Sequence, residues 1–200
     1  MKIVIGVGNP GARYEVTRHN CGFLAVDHIA HSHDIEVNLK SFDSLFGKGR
    51  IGAVPVLLVK PATFMNRSGS AVKQFADYFR IEPSDIIVIH DDIDLPFKTV
   101  RLKSGGGHAG HKGLISIVES LDSTEFLRVR IGIGRPPDEL TVERYVLDQF
   151  SDDETKLLPH ILKTADHAVE TIITSGIQAA MNQYNERARP EDNESGAPAG

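Results

Sequence analysis

His19 and Asp91 have the residue types and positions that general base catalysis requires. His19 lies shortly after the glycine-rich segment Gly6–Gly11, and Asp91 follows the apolar strand predicted for Ile86–His90. A carboxylate beside an imidazole orients the ring and stabilises its protonated form, so His19 could accept a proton. The chain has no G-x-S-x-G nucleophile motif, and Cys21 is predicted to be a small apolar residue at a helix start. The attacking group is therefore predicted to be water.

Asn9 and Asn66 carry amides that could hold a peptide group or a developing oxyanion. An amide offers donors and an acceptor without changing its protonation state. Each residue also has a structural alternative, because Asn9 lies in an Asn-Pro-Gly turn sequence and Asn66 precedes a predicted helix that it could cap. Both interpretations stay open from the residues alone.

The segment Gly6–Gly11 matches the G-x-G-x-x-G pattern of dinucleotide-binding loops, but its surroundings do not. In such proteins a helix begins at the third glycine, and an acidic residue about 20 positions later holds the ribose. Here Pro10 lies inside the pattern, Arg13–Thr17 separates it from the predicted helix, and Asp27 falls within that helix. A dinucleotide-dependent oxidoreductase is therefore disfavoured, and the loop is predicted to return the chain at His19.

The remaining histidines and the single cysteine predict neither a metal site nor a cofactor. His108 and His111 could form a pair of ligands, but no third ligand follows at a suitable spacing. The cluster of His28, His31 and His33 at a helix end is interpreted in the same way. A single cysteine excludes an internal disulfide and a thiolate zinc site. We therefore expect no metal and no cofactor.

Composition and charge indicate a globular protein with one locally basic region. Hydrophobic residues make up 40% of the 200 residues and charged residues 24%, and no apolar run approaches the roughly 20 residues of a membrane span. The N-terminus lacks the pattern of a secretory leader, so a cytoplasmic location is expected. Lys98–Arg135 holds seven basic and three acidic residues in a chain of net charge −5. This stretch predicts a phosphate-binding face, although scattered solvated cations would give the same count.

The elements that must position these residues follow an α/β pattern. Val/Ile-rich runs are typical of buried strands, and they occur at Lys2–Val7, Val54–Lys60, Ile86–His90 and Arg128–Ile133. More polar strands are predicted at Thr99–Lys103 and Phe42–Ile51. The second of these could be a hairpin that turns near Gly47. Helical patterns are Asn20–His31, Ser70–Phe79, Lys112–Leu121, a region opened by a capping box at Ser151 and broken at Pro159, and Ile177–Tyr184.

The alternation predicts an α/β fold with a single three-layer domain, a mostly parallel, mixed and twisted sheet flanked by helices. In such folds the site lies at the carboxyl ends of the strands. Residues 1–185 are predicted to form this domain, and the polar residues 186–200 are predicted to be a disordered tail.

Six segments in order carry a family pattern that spans the chain nearly up to this tail. They are Val7–Gly11, Thr17–Asn20, Lys60–Asn66, His90–Pro96, Ser104–His111 and Arg130–Pro136. Together they closely resemble the motifs of bacterial peptidyl-tRNA hydrolases, and six ordered motifs are far more specific than any one of them.

The resemblance implies a cofactor-free and metal-free esterase that hydrolyses the bond between a peptide and the 3′-terminal ribose of tRNA. Matched by motif, His19 is implied to be the catalytic base and Asp91 its orienting partner. Asn9 and Asn66 are implied to hold the peptide and the transition state, and Tyr14 to line the site. The resemblance also implies a monomer that recycles tRNA for translation.

Further residues are implied to bind the substrate. Phe64 lies in a matching motif and is assigned to the site, and Lys103 and Arg130 match residues that bind the tRNA 5′ phosphate, in agreement with the basic stretch. One position departs from the family, because Lys112 replaces the usual asparagine after His111. An ammonium cannot accept a hydrogen bond as an amide can, so Lys112 is predicted to contact phosphate. Because of this departure, the alternative is a non-catalytic RNA-binding protein that has the same fold.

Overall fold

The computed structural model describes residues 1–185, which form a seven-stranded mixed sheet and six α-helices. The strands are β1 (Lys2–Gly6), β2 (Leu39–Ser41), β3 (Ser44–Ile51), β4 (Val54–Pro61), β5 (Ile86–Asp92), β6 (Val100–Ser104) and β7 (Leu127–Gly132). The helices are α1 (Cys21–Ser32), α2 (Ser68–Phe79), α3 (Lys112–Leu121), α4 (Val142–Leu147), α5 (Asp152–Ser175) and α6 (Ile177–Asn185). The tail predicted at 186–200 lies outside the described residues. Within 1–185, no helix combines the length and apolar character that crossing a membrane requires.

Strand β1 lies at the centre of the sheet, whose order is β2-β3-β4-β1-β5-β7-β6. It pairs in parallel with β4 on one side and β5 on the other, and β5 pairs in parallel with β7. Strands β2, β3 and β6 are antiparallel to their neighbours. The four parallel strands therefore present their carboxyl ends at one edge. The chain leaves β1 between β4 and β5 there, at the kind of crevice where open α/β sheets bind ligands.

Side chains alternate along the central strands and fill a core on each face of the sheet. On one face Val4 belongs to a buried cluster with Ile29 of α1 and Ile161 of α5. On the other face Ile5 belongs to a cluster with Phe75 of α2 and with residues of α3. Two helical layers thus cover the sheet, and the predicted three-layer α/β fold is confirmed.

The hairpin predicted near Gly47 is wrong, because the turn lies earlier in the chain. Strands β2 and β3 meet at Phe42 and Asp43, both of which have φ of 50°. Gly47 lies inside β3, opposite Leu58 of β4. A Cβ at Gly47 would lie 2.3 Å from the carbonyl oxygen of Glu36. The glycine therefore permits a close backbone contact and does not mark a turn.

The break predicted at Pro159 is also wrong, because α5 continues through this residue. The predicted capping box is present, with the Ser151 hydroxyl accepting from the Glu154 backbone and the Glu154 carboxylate accepting from the Ser151 backbone. A proline inside a helix costs about 3 kcal/mol. Each fully buried aliphatic side chain contributes about 1.5–3 kcal/mol. Leu158, Ile161 and the rest of the buried face of α5 therefore outweigh this cost.

Candidate active site

A cleft of about 740 Å³ opens at the carboxyl edge of the parallel strands. Asn9 reaches it from the loop after β1, and Asp91 reaches it from β5, which continues through Asp92 and not only to His90 as predicted. The added residues stay in the sheet because Asp91 and Asp92 still pair with β7. The cleft therefore lies where the topology predicts a site.

The carboxylate of Asp91 joins two histidines at the bottom of this cleft. Its Oδ1 lies 2.8 Å from Nδ1 of His19 and 3.0 Å from Nε2 of His111. His19 and Asp91 are buried, with Asp91 3% exposed, and His111 is half-buried. Burial alone would raise the pKa of Asp91, but the charges of His19 and His111 and their hydrogen bonds hold this pKa well below its usual range. The predicted pairing of His19 with Asp91 is present in the structure.

Hydrogen bonds assign the protons on both imidazoles. Nδ1 of His111 accepts from the backbone N–H groups of Gly113 and Leu114, at 3.1 and 3.3 Å, as the N-cap of α3. The proton of His111 must therefore be on Nε2, which donates to Asp91. Nδ1 of His19 donates to the same oxygen, so its Nε2 carries the free lone pair. No partner for this Nε2 occurs among residues 1–185, and His19 lines the cleft.

His111 is a site residue that the sequence did not assign. The sequence offered it only as half of a metal pair with His108, whose Nδ1 accepts from the Gly110 backbone. The available signal was its position directly before the helix at Lys112–Leu121, where an acceptor side chain caps the first turn. The capping role holds the ring in the orientation that reaches Asp91.

Arg18 fixes the short 3-10 turn Arg18–Asn20 that carries His19. Its guanidinium lies 2.6 Å from Glu154, donates to the carbonyl of Gln149 at 2.9 Å, and stacks over the ring of Tyr145. These partners all belong to the segment that runs from α4 into α5. His19 is thereby tied to a second part of the chain as well as to Asp91.

Asn9 and Asn20 connect the loop after β1 to the segment after β4. The Asn9 backbone exchanges hydrogen bonds with the Asn20 side chain, at 2.8 and 3.0 Å. Oδ1 of Asn9 accepts from the Met65 N–H at 2.9 Å, which leaves Nδ2 as the donor without a partner among residues 1–185. Asn9 therefore has a structural role, and its amide also presents a donor at the cleft.

Asn66, Tyr14 and Phe64 also line the cleft, as the resemblance implied. Asn66 lies exposed within the 3-10 turn Met65–Arg67. Because the N-cap positions belong to Phe64 for this turn and to another residue for α2, the capping alternative for Asn66 is wrong. Phe64 is 54% exposed, so its ring is accessible to a ligand in the cleft.

Part of the basic stretch lies at the cleft. Lys103 of β6 and Arg130 of β7 line it, and Nε of Arg130 lies 2.8 Å from the carboxylate of Asp92. Arg128 lies two residues before Arg130 and is only 2% exposed. It donates to the carbonyl oxygens of Gly106 and Gly107, the latter at 2.6 Å. Burial, followed by the nearby charge of Arg130, lowers the pKa of Arg128.

Lys112 lies at the first position of α3, next to His111. Its Nζ lies 2.6 Å from the carboxylate of Glu143 in α4, and both side chains are largely exposed. Both residues line the cleft, so this ion pair connects its two walls. The hydrogen bond and charge of Lys112 lower the pKa of Glu143.

Two groups considered from the sequence lie outside the cleft. Cys21 is fully buried, and burial together with the charge of Asp91 raises the pKa of its thiol. This environment disfavours a thiolate nucleophile, as predicted. His33 lies 2.9 Å from the buried carboxylate of Asp166, and His28 lies 4.0 Å from it. This cluster joins α1 to α5 far from the cleft residues.

Three donor atoms of the site are close enough to hold a metal ion. One atom each from His19, Asp91 and His111 lie within 4.8 Å of one another. The atoms that meet at Asp91 already share its Oδ1 through two hydrogen bonds. A cation between them would have to replace both N–H protons, so the donor set fits the hydrogen-bonded arrangement better.

The fold and the cleft define the class of this protein. It is an α/β protein with a buried histidine–carboxylate pair at the switch point of its sheet and with basic side chains in the same cleft. A family model described as peptidyl-tRNA hydrolase matches residues 3–193. The chain therefore belongs to the peptidyl-tRNA hydrolase family.

Individual relatives agree with this assignment. Peptidyl-tRNA hydrolase from Syntrophomonas wolfei is 46% identical over 92% of this chain and 100% of its own. The chloroplastic peptidyl-tRNA hydrolase of Arabidopsis thaliana is 42% identical over 94% of this chain and 66% of its own. The crystal structure of peptidyl-tRNA hydrolase from Acinetobacter baumannii aligns with a TM-score of 0.87 at 37% identity, covering 92% of this chain and 94% of that one. The predicted family, its hydrolase class and the fold are confirmed.

Proposed function

We propose that this chain hydrolyses the ester bond between a peptide and the 3′-terminal ribose of tRNA and so returns tRNA to translation. The observation that carries the proposal is the free Nε2 of His19, held at the cleft by the 2.8 Å contact of Nδ1 with Asp91. A neutral imidazole with one nitrogen fixed by a carboxylate has its other nitrogen available as a base.

His19 would activate water for attack on the ester carbonyl. Nε2 takes one proton as the water oxygen forms its bond to the carbonyl carbon, and the ionised Asp91 stabilises the resulting imidazolium. The tetrahedral intermediate then breaks the bond to the ribose oxygen, which receives the proton from His19. Free tRNA and the carboxylic acid of the peptide result, and the acid releases the second proton of the water to solvent. No covalent enzyme intermediate is needed.

Asn9 and Asn66 would supply neutral donors near the reacting carbonyl. Nδ2 of Asn9 is oriented because Oδ1 of the same amide accepts from Met65. Asn66 also lines the cleft, from the 3-10 turn Met65–Arg67. A fixed donor costs no reorganisation when the oxyanion forms, which is the usual basis of oxyanion stabilisation.

The apolar wall of the cleft suits the peptide part of the substrate. Phe64 and Tyr14 line the cleft together with Val142 and Leu147 of α4, and the side chains of Phe64, Val142 and Leu147 are exposed. Such surfaces can accept varied side chains because apolar contact has little directionality. Broad acceptance of peptide sequences is therefore part of the proposal.

The basic end of the cleft would bind phosphate of the tRNA. Lys103 and Arg130 lie in the strands farthest from the centre of the sheet on that side, and both line the cleft. We assign them to the 5′ phosphate. Lys112 is assigned to a phosphate nearer the 3′ end, because it follows His111 directly and its ammonium can bind phosphate as a point charge.

The remaining assignments concern the chain as a whole. We propose that residues 1–185 form the catalytic domain, that the protein acts as a monomer, and that it works in the cytoplasm with the translation machinery. The alternative of a non-catalytic RNA-binding protein has no observation in its favour. The His19–Asp91 pair is intact, the lowered pKa of Asp91 keeps its carboxylate ionised, and both residues line the cleft.

Release of an N-acetylated amino acid from acetyl-aminoacyl-tRNA tests the proposed reaction. Parallel reactions contain free aminoacyl-tRNA or a metal chelator. We expect release from the blocked substrate only, at the same rate with chelator. Loss of activity with chelator would contradict the metal-free mechanism. No release from a protein that still binds tRNA would favour the RNA-binding alternative.

The phosphate assignment has its own test in the salt dependence of tRNA binding. Each phosphate contact removed should lower the slope of log Kd against log salt by about 1. We expect this for Lys103→Ala and Arg130→Ala. Lys163→Ala is the matched control, because Lys163 is exposed on α5 outside the cleft lining. Equal slopes for all three variants would remove Lys103 and Arg130 from the interface.

A further inference from the structure

We propose that Arg128 is a positioning residue for the phosphate-binding end of the cleft: its buried guanidinium holds the glycine loop Gly105–Gly107 in place and adds positive charge beneath it. The inference rests on the proposed assignment of Lys103 and Arg130 to phosphate. It adds a residue that makes this end selective for a terminal phosphate monoester over an internal diester.

The environment of Arg128 is unusual for an arginine. The side chain is 2% exposed, yet it has no carboxylate within salt-bridge distance among residues 1–185. Its two terminal nitrogens donate to the carbonyls of Gly106 and Gly107, and its Nε is buried without a partner. A buried charge that lacks a counter-ion is costly, so an anionic ligand nearby would relieve the imbalance.

The neighbouring contacts connect this charge to the phosphate residues. Lys103 pairs with Arg128 across β6 and β7. Its ammonium also lies against Gly106, because a Cβ at that glycine would be 2.8 Å from Nζ. The loop at Gly106 thus lies between two cations, bound to one and in contact with the other. Moving the loop would therefore move Lys103.

Positive charge at this end of the cleft exceeds the negative charge beside it. Three cations line it, Lys103, Arg128 and Arg130. Of the two neighbouring carboxylates, Asp92 pairs with Arg130 and Asp94 pairs with the exposed Arg135. Glu125 approaches Gly105 from outside the cleft lining. A terminal phosphate monoester carries up to about two negative charges near neutral pH, whereas an internal diester carries about one. The excess positive charge therefore favours the monoester.

Two forms of the same tRNA, with a 5′ phosphate and after its enzymatic removal, test this role. The measured quantity is the ratio of their dissociation constants for the full-length protein. We expect the parent to favour the phosphorylated form. We expect Arg128→Met to reduce that preference roughly tenfold, the effect of one lost charge-assisted interaction. Arg128→Lys keeps the charge but lacks the two-pronged contact, so it should retain part of the preference.

Two more variants separate this role from general destabilisation. Gly106→Ala should also reduce the preference, because Gly106 has φ of 91° and its Cβ would push against Lys103. Arg50→Gln is the matched control, since Arg50 is an exposed arginine outside the cleft lining whose guanidinium contacts the Ala53 carbonyl. If Arg128→Met fails to fold, Gly106→Ala still tests whether the loop position sets the preference for the 5′ phosphate.

The outcomes distinguish the inference from the assignment on which it rests. A parent that binds both tRNA forms equally overturns the phosphate assignment and the role of Arg128 together. A parent with a clear preference that survives in Arg128→Met, Arg128→Lys and Gly106→Ala overturns the role of Arg128 alone. Equal weakening toward both tRNA forms in these variants would also overturn it, because it would show a purely structural arginine.

Discussion

At the residue scale, one oxygen of Asp91 orients two imidazoles whose second nitrogens have different surroundings. His111 uses its second nitrogen to cap α3, whereas His19 leaves its second nitrogen free at the cleft. A second histidine at the carboxylate restricts how Asp91 can rotate. The proposed base, His19, is therefore held by a network whose other end is the N-terminus of α3, and this preorganisation suits proton transfer.

Removal of the base gives the first prediction. We expect His19→Ala to lower kcat for acetyl-aminoacyl-tRNA by about 10²-fold or more, while the dissociation constant for tRNA changes little. His31→Ala is the matched control, because His31 is exposed on α1, outside the cleft. Comparable kcat values for the two variants would exclude His19 as the base.

The ion pair between Lys112 and Glu143 gives a second prediction. If Lys112 binds phosphate as proposed, Glu143 competes for its ammonium, so Glu143→Gln should tighten tRNA binding about two- to fivefold at low salt. The gain should vanish in a Lys112→Ala background, as measured by a double-mutant cycle. Glu139→Gln, an exposed change of equal charge outside the cleft lining, is the control. Equal gains with Glu139→Gln would show only a general effect of net charge.

The sequence could predict some of these residues and not others. His19 and Asp91 were accessible because each is a polar residue placed where an apolar run meets a loop. The contact of His111 with Asp91 depends on how the glycine loop folds back over β5, and the burial of Arg128 depends on the same loop. A residue's type and spacing do not report such long-range contacts, so the contacts of His111 and Arg128 are seen only in the structure.

At the element scale, close backbone contact between α1 and the sheet brings His19 to Asp91. A Cβ at Gly22 would lie 2.5 Å from the carbonyl oxygen of Ile89 in β5 and 2.6 Å from that of Val7. A Cβ at Gly6 would lie 2.1 Å from the carbonyl oxygen of Gly22. Glycine on both sides is therefore required for the start of α1 to lie against β1 and β5.

Substitution at this contact tests whether the element positions the base. Gly22→Ala should push the start of α1 away from β5 and lower kcat roughly tenfold or more, because small displacements of a catalytic group are costly. Gly47→Ala introduces a similar backbone clash with Glu36, away from the cleft. Both variants should unfold at lower temperature than the parent. If both retain parental kcat well below their Tm, the close contact serves stability alone.

The two wrong element predictions have a common physical cause. At Gly47 and Pro159, the local preference of one residue was given more weight than its packing. Gly47 is used for a backbone approach inside a strand, and the buried face of α5 outweighs the cost of Pro159. The continuous Val/Ile-rich strands were predicted correctly because burial on both sheet faces selects such sequences directly.

At the scale of the whole molecule, β5 is an inner strand of the sheet and places a titratable group deep in the protein. His90 is 3% exposed, and its Nδ1 donates to the backbone carbonyl of Asp91 at 2.7 Å. Burial and the nearby charge of His111 lower the pKa of His90 to about 3. The ring is therefore neutral in the folded protein, although it would titrate near pH 6.5 in an unfolded chain.

This difference predicts how stability depends on pH. Below pH about 6.5 the unfolded chain binds a proton at this histidine that the folded protein does not bind until pH about 3. Unfolding is therefore favoured as pH falls through this window, by at most about 1.4 kcal/mol per pH unit for one proton. Above pH about 6.5 this histidine is neutral in both states, so the folded protein keeps its full stability there. Asp91, whose pKa is also lowered, adds a further loss below pH about 4.

Urea unfolding at several pH values between 4 and 7 measures this effect, with His90→Phe as the test variant. Phenylalanine keeps an aromatic ring in the buried site but cannot bind a proton, so its free energy of unfolding should fall less steeply with decreasing pH than that of the parent. His31→Gln, at an exposed position on α1, should keep the parental slope. Parallel curves for His90→Phe and the parent would mean that His90 is protonated equally in both states and that its burial does not couple stability to pH.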